Sequence, residues 1–390
     1  MKAKDRRLAE LKNAIPEVPP EEALALHKQG AVLLDVREAD EVANGSPKGA
    51  LRMGRGFLEL RIEDAVPEQD QTLLVMCAGG VRSLFAAETL RQLGYRNVKS
   101  VAGGFSRWKN NGLPFEMPRV LDDDARERYA RHLLLPEVGE QGQLKLMDSK
   151  VLLIGAGGLG SPSAYYLAAA GVGTLGLVDH DVVDRSNLQR QILHTENRVD
   201  TPKVASAREA LESLNPRVKI VGYETRLDSS NVEEILSNYD VVVDGSDNLP
   251  TRYLVNDACV KLGIPNIHAA VYRFEGQITV FWPGFEKRRG GCYRCMFPEP
   301  PPAELAPSCA EIGVLGVLPG VLGVLQAVET LKVLLDLGDP LVGRMLYYDA
   351  LQGSFNQFKL ARNPECRVCG DNASFSGYSD YAEVCNTSTG

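Results

Sequence analysis

The sequence predicts an α/β protein in two parts, each with strands that alternate with helices, and three observations carry that prediction. Short apolar runs at residues 31–36 and 72–76, and others near Val151, Leu175, Val218 and Val241, read as buried strands. Helical patterns at 83–93 and 161–170 separate them, the alternation of a mostly parallel sheet. The run that begins at Val151 ends in Gly155-Ala-Gly-Gly-Leu-Gly160, a turn that lets backbone N–H groups and a helix N-terminus reach phosphates without interference from a Cβ.

Taken in order, the first twelve residues are charged throughout and have no apolar segment of the kind a secretory signal needs. A small α/β region follows, bounded at 15–118. It ends in Asn111-Gly-Leu-Pro-Phe-Glu-Met-Pro118, where turn residues and two prolines break the pattern. The second region, 119–370, carries the glycine turn and two further strands at 275–281 and 344–348 that could run antiparallel. Residues 314–328 are almost wholly apolar. They are fewer than the roughly 20 a membrane span needs, and Pro319, Gln326, Glu329 and Lys332 interrupt or follow them. A helix in the core or at a subunit interface is expected there. The last stretch, 371–390, is polar and is expected to form a flexible tail.

Charged residues make up 24% and hydrophobic ones 44% of the 390, the proportions of an ordinary globular chain. A net charge of −8 argues against nucleic acid as a partner. With neither signal nor span, the expected location is cytoplasmic, so the eight cysteines would be reduced. Four form two pairs, Cys292-Tyr-Arg-Cys295 and Cys366-Arg-Val-Cys369. Four thiolates from two tight turns suit tetrahedral Zn²⁺ and leave no position open for chemistry. The alternatives are two unrelated turns, or a redox pair, which would need a thioredoxin-like setting that neither has.

Asp179 closes the next apolar run after the glycine turn, near where a carboxylate can hold ribose hydroxyls. Alone, that reads as a dinucleotide site. Asn187, Arg190 and Lys203 favour a triphosphate, which needs several cationic and amide donors. Singly, Arg190 or Lys203 would more often be a solvated charge. The strings GAGGLGSP, LVDHDVVDRSNLQRQ, TPKVASA and VVDGSDN together resemble the molybdopterin-synthase adenylyltransferase and ThiF group, bacterial relatives of ubiquitin-activating enzymes, over about 128–369.

That resemblance implies a Rossmann-like ATP-binding adenylation domain with a mixed sheet. It implies that Gly155, Gly157, Gly158 and Gly160 cradle ATP, that Asp179 holds the ribose, and that Asn187, Arg190, Gln191 and Lys203 face the triphosphate. It assigns Mg²⁺ to Asp247 and zinc to the four paired cysteines. Arg131 matches an arginine that family members insert into the partner subunit's ATP site, implying a homodimer. Cys309 matches a cysteine that would receive the acyl group or resolve a disulfide. Cys259 reads as a core residue, and Cys385 has no assigned role.

The N-terminal region contains Leu33-Leu-Asp-Val-Arg-Glu38, Cys77-Ala-Gly-Gly-Val-Arg-Ser83 and Val101-Ala-Gly-Gly-Phe-Ser-Arg-Trp108. These resemble a rhodanese, a sulfurtransferase domain. Cys77 follows a strand and precedes a helix, where converging amides and Arg82 would lower the thiol pKa and stabilise a thiolate or persulfide. The bland reading is a buried cysteine at a strand end. Five residues from Cys77 to Arg82 make a loop that fits sulfur better than the phosphate of a tyrosine phosphatase. Gly45-Ser-Pro-Lys-Gly-Ala50 departs from the family segment that carries a histidine, so substrate access there would differ.

The joint expectation is adenylation of the C-terminal carboxylate of a small ubiquitin-like sulfur carrier ending in Gly-Gly, first of all the molybdopterin-synthase small subunit. A Cys77 persulfide, loaded by a sulfur donor such as a cysteine desulfurase, would then give a thiocarboxylate. The alternatives are adenylation with the rhodanese region as a docking module, a carrier for thiamine or tRNA thiolation, a nicotinamide-dependent dehydrogenase, and a scaffold without turnover.

Overall fold

The computed structural model describes residues 3–117, 119–301 and 313–378, and the chain divides into two units at 120/121. In the first unit the strands are β1 (Glu17–Val18), β2 (Val32–Asp35), β3 (Ser46–Pro47), β4 (Leu51–Arg52), β5 (Leu73–Met76), β6 (Val98–Val101) and β7 (Phe115–Glu116). Five of them form a parallel sheet in the order β1-β6-β5-β2-β4, and β3 pairs with β7 antiparallel. Leu33, Leu34 and all of β5 are fully buried, as befits strands covered on both faces. Leu34, Val75 and Leu84 share one core with Ile62, while Leu33, Leu74 and Met76 share another with Trp108.

The second unit holds β8 (Lys150–Ile154), β9 (Thr174–Val178), β10 (Lys219–Tyr223), β11 (Val241–Asp244), β12 (Asn266–Tyr272), β13 (Glu275–Phe281), β14 (Arg344–Asp349) and β15 (Ser354–Lys359). They form one sheet in the order β10-β9-β8-β11-β12-β13-β14-β15. The first five strands in that order are parallel and the remaining pairings antiparallel, giving the mixed sheet expected from the sequence. Alternate residues of β8 serve opposite layers. Val151 and Leu153 pack with the helices Gly160–Ala170 and Leu318–Leu335, while Leu152 and Ile154 pack with the helix Leu249–Leu262.

Register positions the site. Ile154 lies opposite both Val178 and Asp244, so β8, β9 and β11 end flush and release their loops side by side. The order reverses between β8 and β11, and the crevice above such a reversal is where open α/β sheets bind ligands.

The apolar run at 314–328 becomes the helix Leu318–Leu335, with Pro319 in its first turn. It is long and apolar enough to cross a membrane by composition alone, but half of it is buried inside the protein, where Leu318, Leu322 and Ala327 join the main core. Strands β12 and β15 were not anticipated. In 371–378 the rings of Phe375 and Tyr378 meet edge to face, and the Lys261 ammonium lies 4.4 Å from the first and 5.6 Å from the second.

Candidate active site

The three flush strand ends open onto a cleft of about 420 Å³. Its floor is the glycine turn. Gly155 has φ +90°, and a β-carbon on Gly160 would stand 1.9 Å from the Gly155 carbonyl oxygen, so both positions exclude a side chain. The helix Gly160–Ala170 follows, its first turn tied back to the floor by the bond from the Ser161 N–H to the Gly157 carbonyl at 2.9 Å. Asp179, at the end of β9, accepts from the N–H of Ala156 at 2.8 Å and from that of Asp181 at 2.9 Å. Carboxylate oxygens have further lone pairs to offer a hydroxyl.

Lys203 opens the next long helix, and its Nζ lies 2.7 Å from Asp181 with only 8% of the side chain exposed. Burial works against the charge of Asp181, but the Lys203 contact outweighs it and holds the carboxyl below its ordinary range. Arg190 lines the cleft and donates to the Ser186 carbonyl at 3.2 Å. Gln191 is buried beneath Gly157, and its Oε1 has no partner among the described residues. Asp247 lies exposed at the wall. The turn that presents it is fixed from below by Asp244, which accepts from the Ser246 hydroxyl at 2.6 Å and from His268 at 2.8 Å.

Of the residues expected here, Gly155, Gly157, Gly158, Asp179, Arg190, Gln191, Lys203 and Asp247 line the cleft. Gly160 lies behind the floor. Asn187 does not line the cleft; its side chain caps its own turn, accepting from the Asp184 N–H at 3.3 Å. Arg131 sits exposed on the short helix Ala130–Leu133 and does not line this cleft. Cys309 lies outside the described residues. The sequence reading missed Thr225, Arg226 and Leu227 after β10, and Arg273, Val314 and Pro319 on the opposite wall. None of these carries a spacing pattern of its own.

The paired cysteines converge from distant segments. Cys292 and Cys366 have sulfurs 3.7 Å apart, Cys295 and Cys369 3.4 Å, and all four lie within 4.8 Å of one another. A disulfide would need about 2.05 Å. A tetrahedron with metal–sulfur bonds of roughly 2.3 Å has edges near 3.8 Å, so the four thiols fit a tetrahedral, thiolate-preferring cation.

In the first unit Cys77 is 1% exposed, its sulfur accepts from the Gly80 N–H at 3.1 Å, and the Ser83 hydroxyl stands 3.5 Å away. Arg82 is engaged elsewhere. Its guanidinium holds both oxygens of Glu41, at 2.7 and 2.5 Å, and the carboxyl of Glu41 is pulled below its ordinary range chiefly by that bond. Arg82 thus enters the loop as an ion pair with Glu41, and the Gly80 N–H is the backbone donor seen on the sulfur.

Residues 129–368 match the ThiF family. The chain belongs to that family. Residues 19–111 match the rhodanese-like domain. The ThiF part is 51% identical over 270 residues to the SAMP-activating enzyme E1 of Haloferax volcanii, covering 69% of this chain and 98% of that one. It is 52% identical over 260 residues to the sulfur carrier protein adenylyltransferase of Thermus thermophilus, with 66% and 96% covered. The adenylyltransferase and sulfurtransferase MOCS3 of Sus scrofa is 50% identical over 276 residues, which cover 70% of this chain and 60% of that protein. Among solved structures, E. coli MccB with succinimide superposes with a TM-score of 0.56 at 23% identity, over 68% of this chain and 80% of that one, a likeness of fold. A ThiF domain and a rhodanese-like domain thus share one chain.

Proposed function

We propose that the chain transfers AMP from ATP to the C-terminal carboxylate of a small carrier protein and then delivers sulfur to the resulting acyl adenylate. The observation that carries this reading is the cleft at the flush ends of β8, β9 and β11, where a glycine floor meets Lys203, Arg190 and three carboxylates, Asp179, Asp181 and Asp247. Relatives named as activating and adenylating sulfur carriers support it.

A carboxylate cannot expel oxide. When a carboxylate oxygen of the carrier attacks the α-phosphorus, the bond to the bridging oxygen breaks, pyrophosphate leaves, and the acyl carbon gains AMP as its leaving group. This step needs alignment and charge neutralisation more than a protein nucleophile. Asp179 would hold the ribose, while the floor N–H groups, Lys203 and Arg190 meet the phosphates. Asp247 suits a Mg²⁺ ion bound with the nucleotide, which would neutralise developing charge on pyrophosphate. Zinc at the four cysteines would be structural. Arg131 does not line its own cleft, and we propose that it serves the site of a partner in a homodimer. No feature of the cleft favours a nicotinamide over a triphosphate.

Cys77 carries the second half. A persulfide on Cys77, loaded by a donor such as a cysteine desulfurase, attacks the acyl carbon and expels AMP, leaving carrier–C(O)–S–S–Cys77. A second thiolate then attacks the Cys77 sulfur, releasing carrier thiocarboxylate and a disulfide that an external thiol reduces. Cys309 is our candidate for that thiolate. Such thiol chemistry suits a reducing, cytoplasmic setting. The molybdopterin-synthase small subunit is the first carrier to test, with carriers for thiamine and tRNA thiolation next.

Purified protein should exchange labelled pyrophosphate into ATP only when a Gly-Gly-ended carrier is present. Cys77→Ala should retain that exchange and lose thiocarboxylate formation altogether, read by mass spectrometry of the carrier. Thiocarboxylate at an unchanged rate without Cys77 would instead make the rhodanese-like domain a docking module.

A further inference from the structure

His194 is buried, lies outside every motif that the sequence reading used, and makes two hydrogen bonds that together reach the glycine floor. Its Nε2 is 2.9 Å from the Ala156 carbonyl oxygen and its Nδ1 is 2.9 Å from the Ser206 hydroxyl. A carbonyl can only accept, so Nε2 carries the proton and Nδ1 accepts from Ser206. Burial pushes the imidazole below its ordinary pKa, in keeping with a neutral ring of fixed tautomer.

The consequence follows from the peptide plane. In a trans peptide the carbonyl and the next N–H point in opposite directions. Asp179 holds the Ala156 N–H, so the Gly155 carbonyl is turned the other way, toward Gly160, where a β-carbon would stand 1.9 Å from it. His194 holds the Ala156 carbonyl in the same manner, so the Gly157 N–H points away from the imidazole. Gly157 lines the cleft and His194 does not. Ser206, one turn beyond Lys203 on the helix Lys203–Leu214, fixes the ring from behind.

We infer that His194 is a positioning residue that aims the Gly157 N–H at a phosphate of the bound nucleotide and ties the glycine floor to the helix carrying Lys203. The inference rests on the adenylation reading above. It assigns no chemical step to the imidazole.

The test is direct binding of ATP and of adenosine to the full chain by calorimetry, with no carrier and no turnover. His194→Phe keeps ring volume and removes both bonds; it should weaken ATP about tenfold, the scale of one lost hydrogen bond to a charged group, and leave adenosine within twofold. His194→Gln, whose amide can still donate to Ala156, should recover most of that loss. Ser206→Ala should weaken ATP roughly threefold and add nothing in the His194→Phe background, because Ser206 acts only through the ring. Should His194→Phe fail to fold, Ser206→Ala alone still decides, by its threefold loss for ATP with adenosine unchanged. ATP affinity unchanged in His194→Phe or in Ser206→Ala, equal losses for ATP and adenosine, or additive effects of Ser206→Ala would overturn the positioning role. Wild-type protein that binds neither nucleotide would overturn the adenylation reading itself.

Discussion

Lys203→Met should lower the carrier-dependent exchange rate by roughly 10²–10³-fold, the loss found when a preorganised group facing transition-state charge is removed. The geometry explains why the effect should be large. Lys203 is nearly closed off from water, where an ammonium interacts more strongly with phosphate than an exposed one does. It also starts its helix, so its backbone is held, and its N–H bonds to the Asp181 carbonyl at 2.9 Å. Arg190 is more exposed, and Arg190→Ala should cost less. The same Lys203 variant removes the partner of Asp181. A carboxyl held below its ordinary value stabilises the fold fully above about pH 4 and loses that contribution as pH falls through the depressed value. Thermal melts between pH 3 and 6 should show this acid dependence in the wild type and less of it in Lys203→Met. An exchange rate within threefold of wild type would remove Lys203 from the phosphate site.

The second large effect concerns the four cysteines. Purified protein should carry one zinc per chain by elemental analysis, and Cys292→Ser with Cys366→Ser should carry none. The double variant should melt on the order of 10 °C lower in the ThiF unit, since structural zinc contributes many kcal/mol to folding. The damage should also reach the nucleotide. Tyr293, beside Cys292, packs its ring against His268 at 5.3 Å; His268 bonds to Asp244; and Asp244 shapes the turn that presents Asp247. Weaker ATP binding should therefore accompany metal loss. Sulfur transfer from thiosulfate to cyanide at Cys77 should survive, because the first unit has cores of its own. A chelated protein with unchanged melting would make the cluster a chance meeting of thiols.

Much of this was readable in the sequence because the central strands are buried on both faces, which makes them continuous apolar runs around Val151, Leu175 and Val241. Strand β12 was hidden because Asn266 and His268 interrupt its apolar pattern while lying fully inside, His268 bonded to Asp244. Strand β15 was hidden because most of it faces outward, with Phe355 and Phe358 half exposed. At the site, the glycine turn and its flanking charges were legible, since each residue type has few uses at those positions. The cap that Asn187 makes on its own turn was not, because an asparagine can serve a ligand or its own turn with the same atoms. The neutralisation of Arg82 needed Glu41, 41 residues earlier in the chain. The reach of His194 to the floor was not legible either: the partner it holds there is a backbone carbonyl, which leaves no trace in a side-chain pattern.

The cysteine cluster also imposes a schedule on synthesis. Cys366 follows Cys292 by 74 residues, which a ribosome adding 5–20 residues per second supplies in roughly 4–15 s. Throughout that interval the earlier knuckle has only two of its four thiols, and the antiparallel strands β14 and β15 emerge only in its last third. The nascent chain can finish its N-terminal unit and its parallel strands while the other end waits.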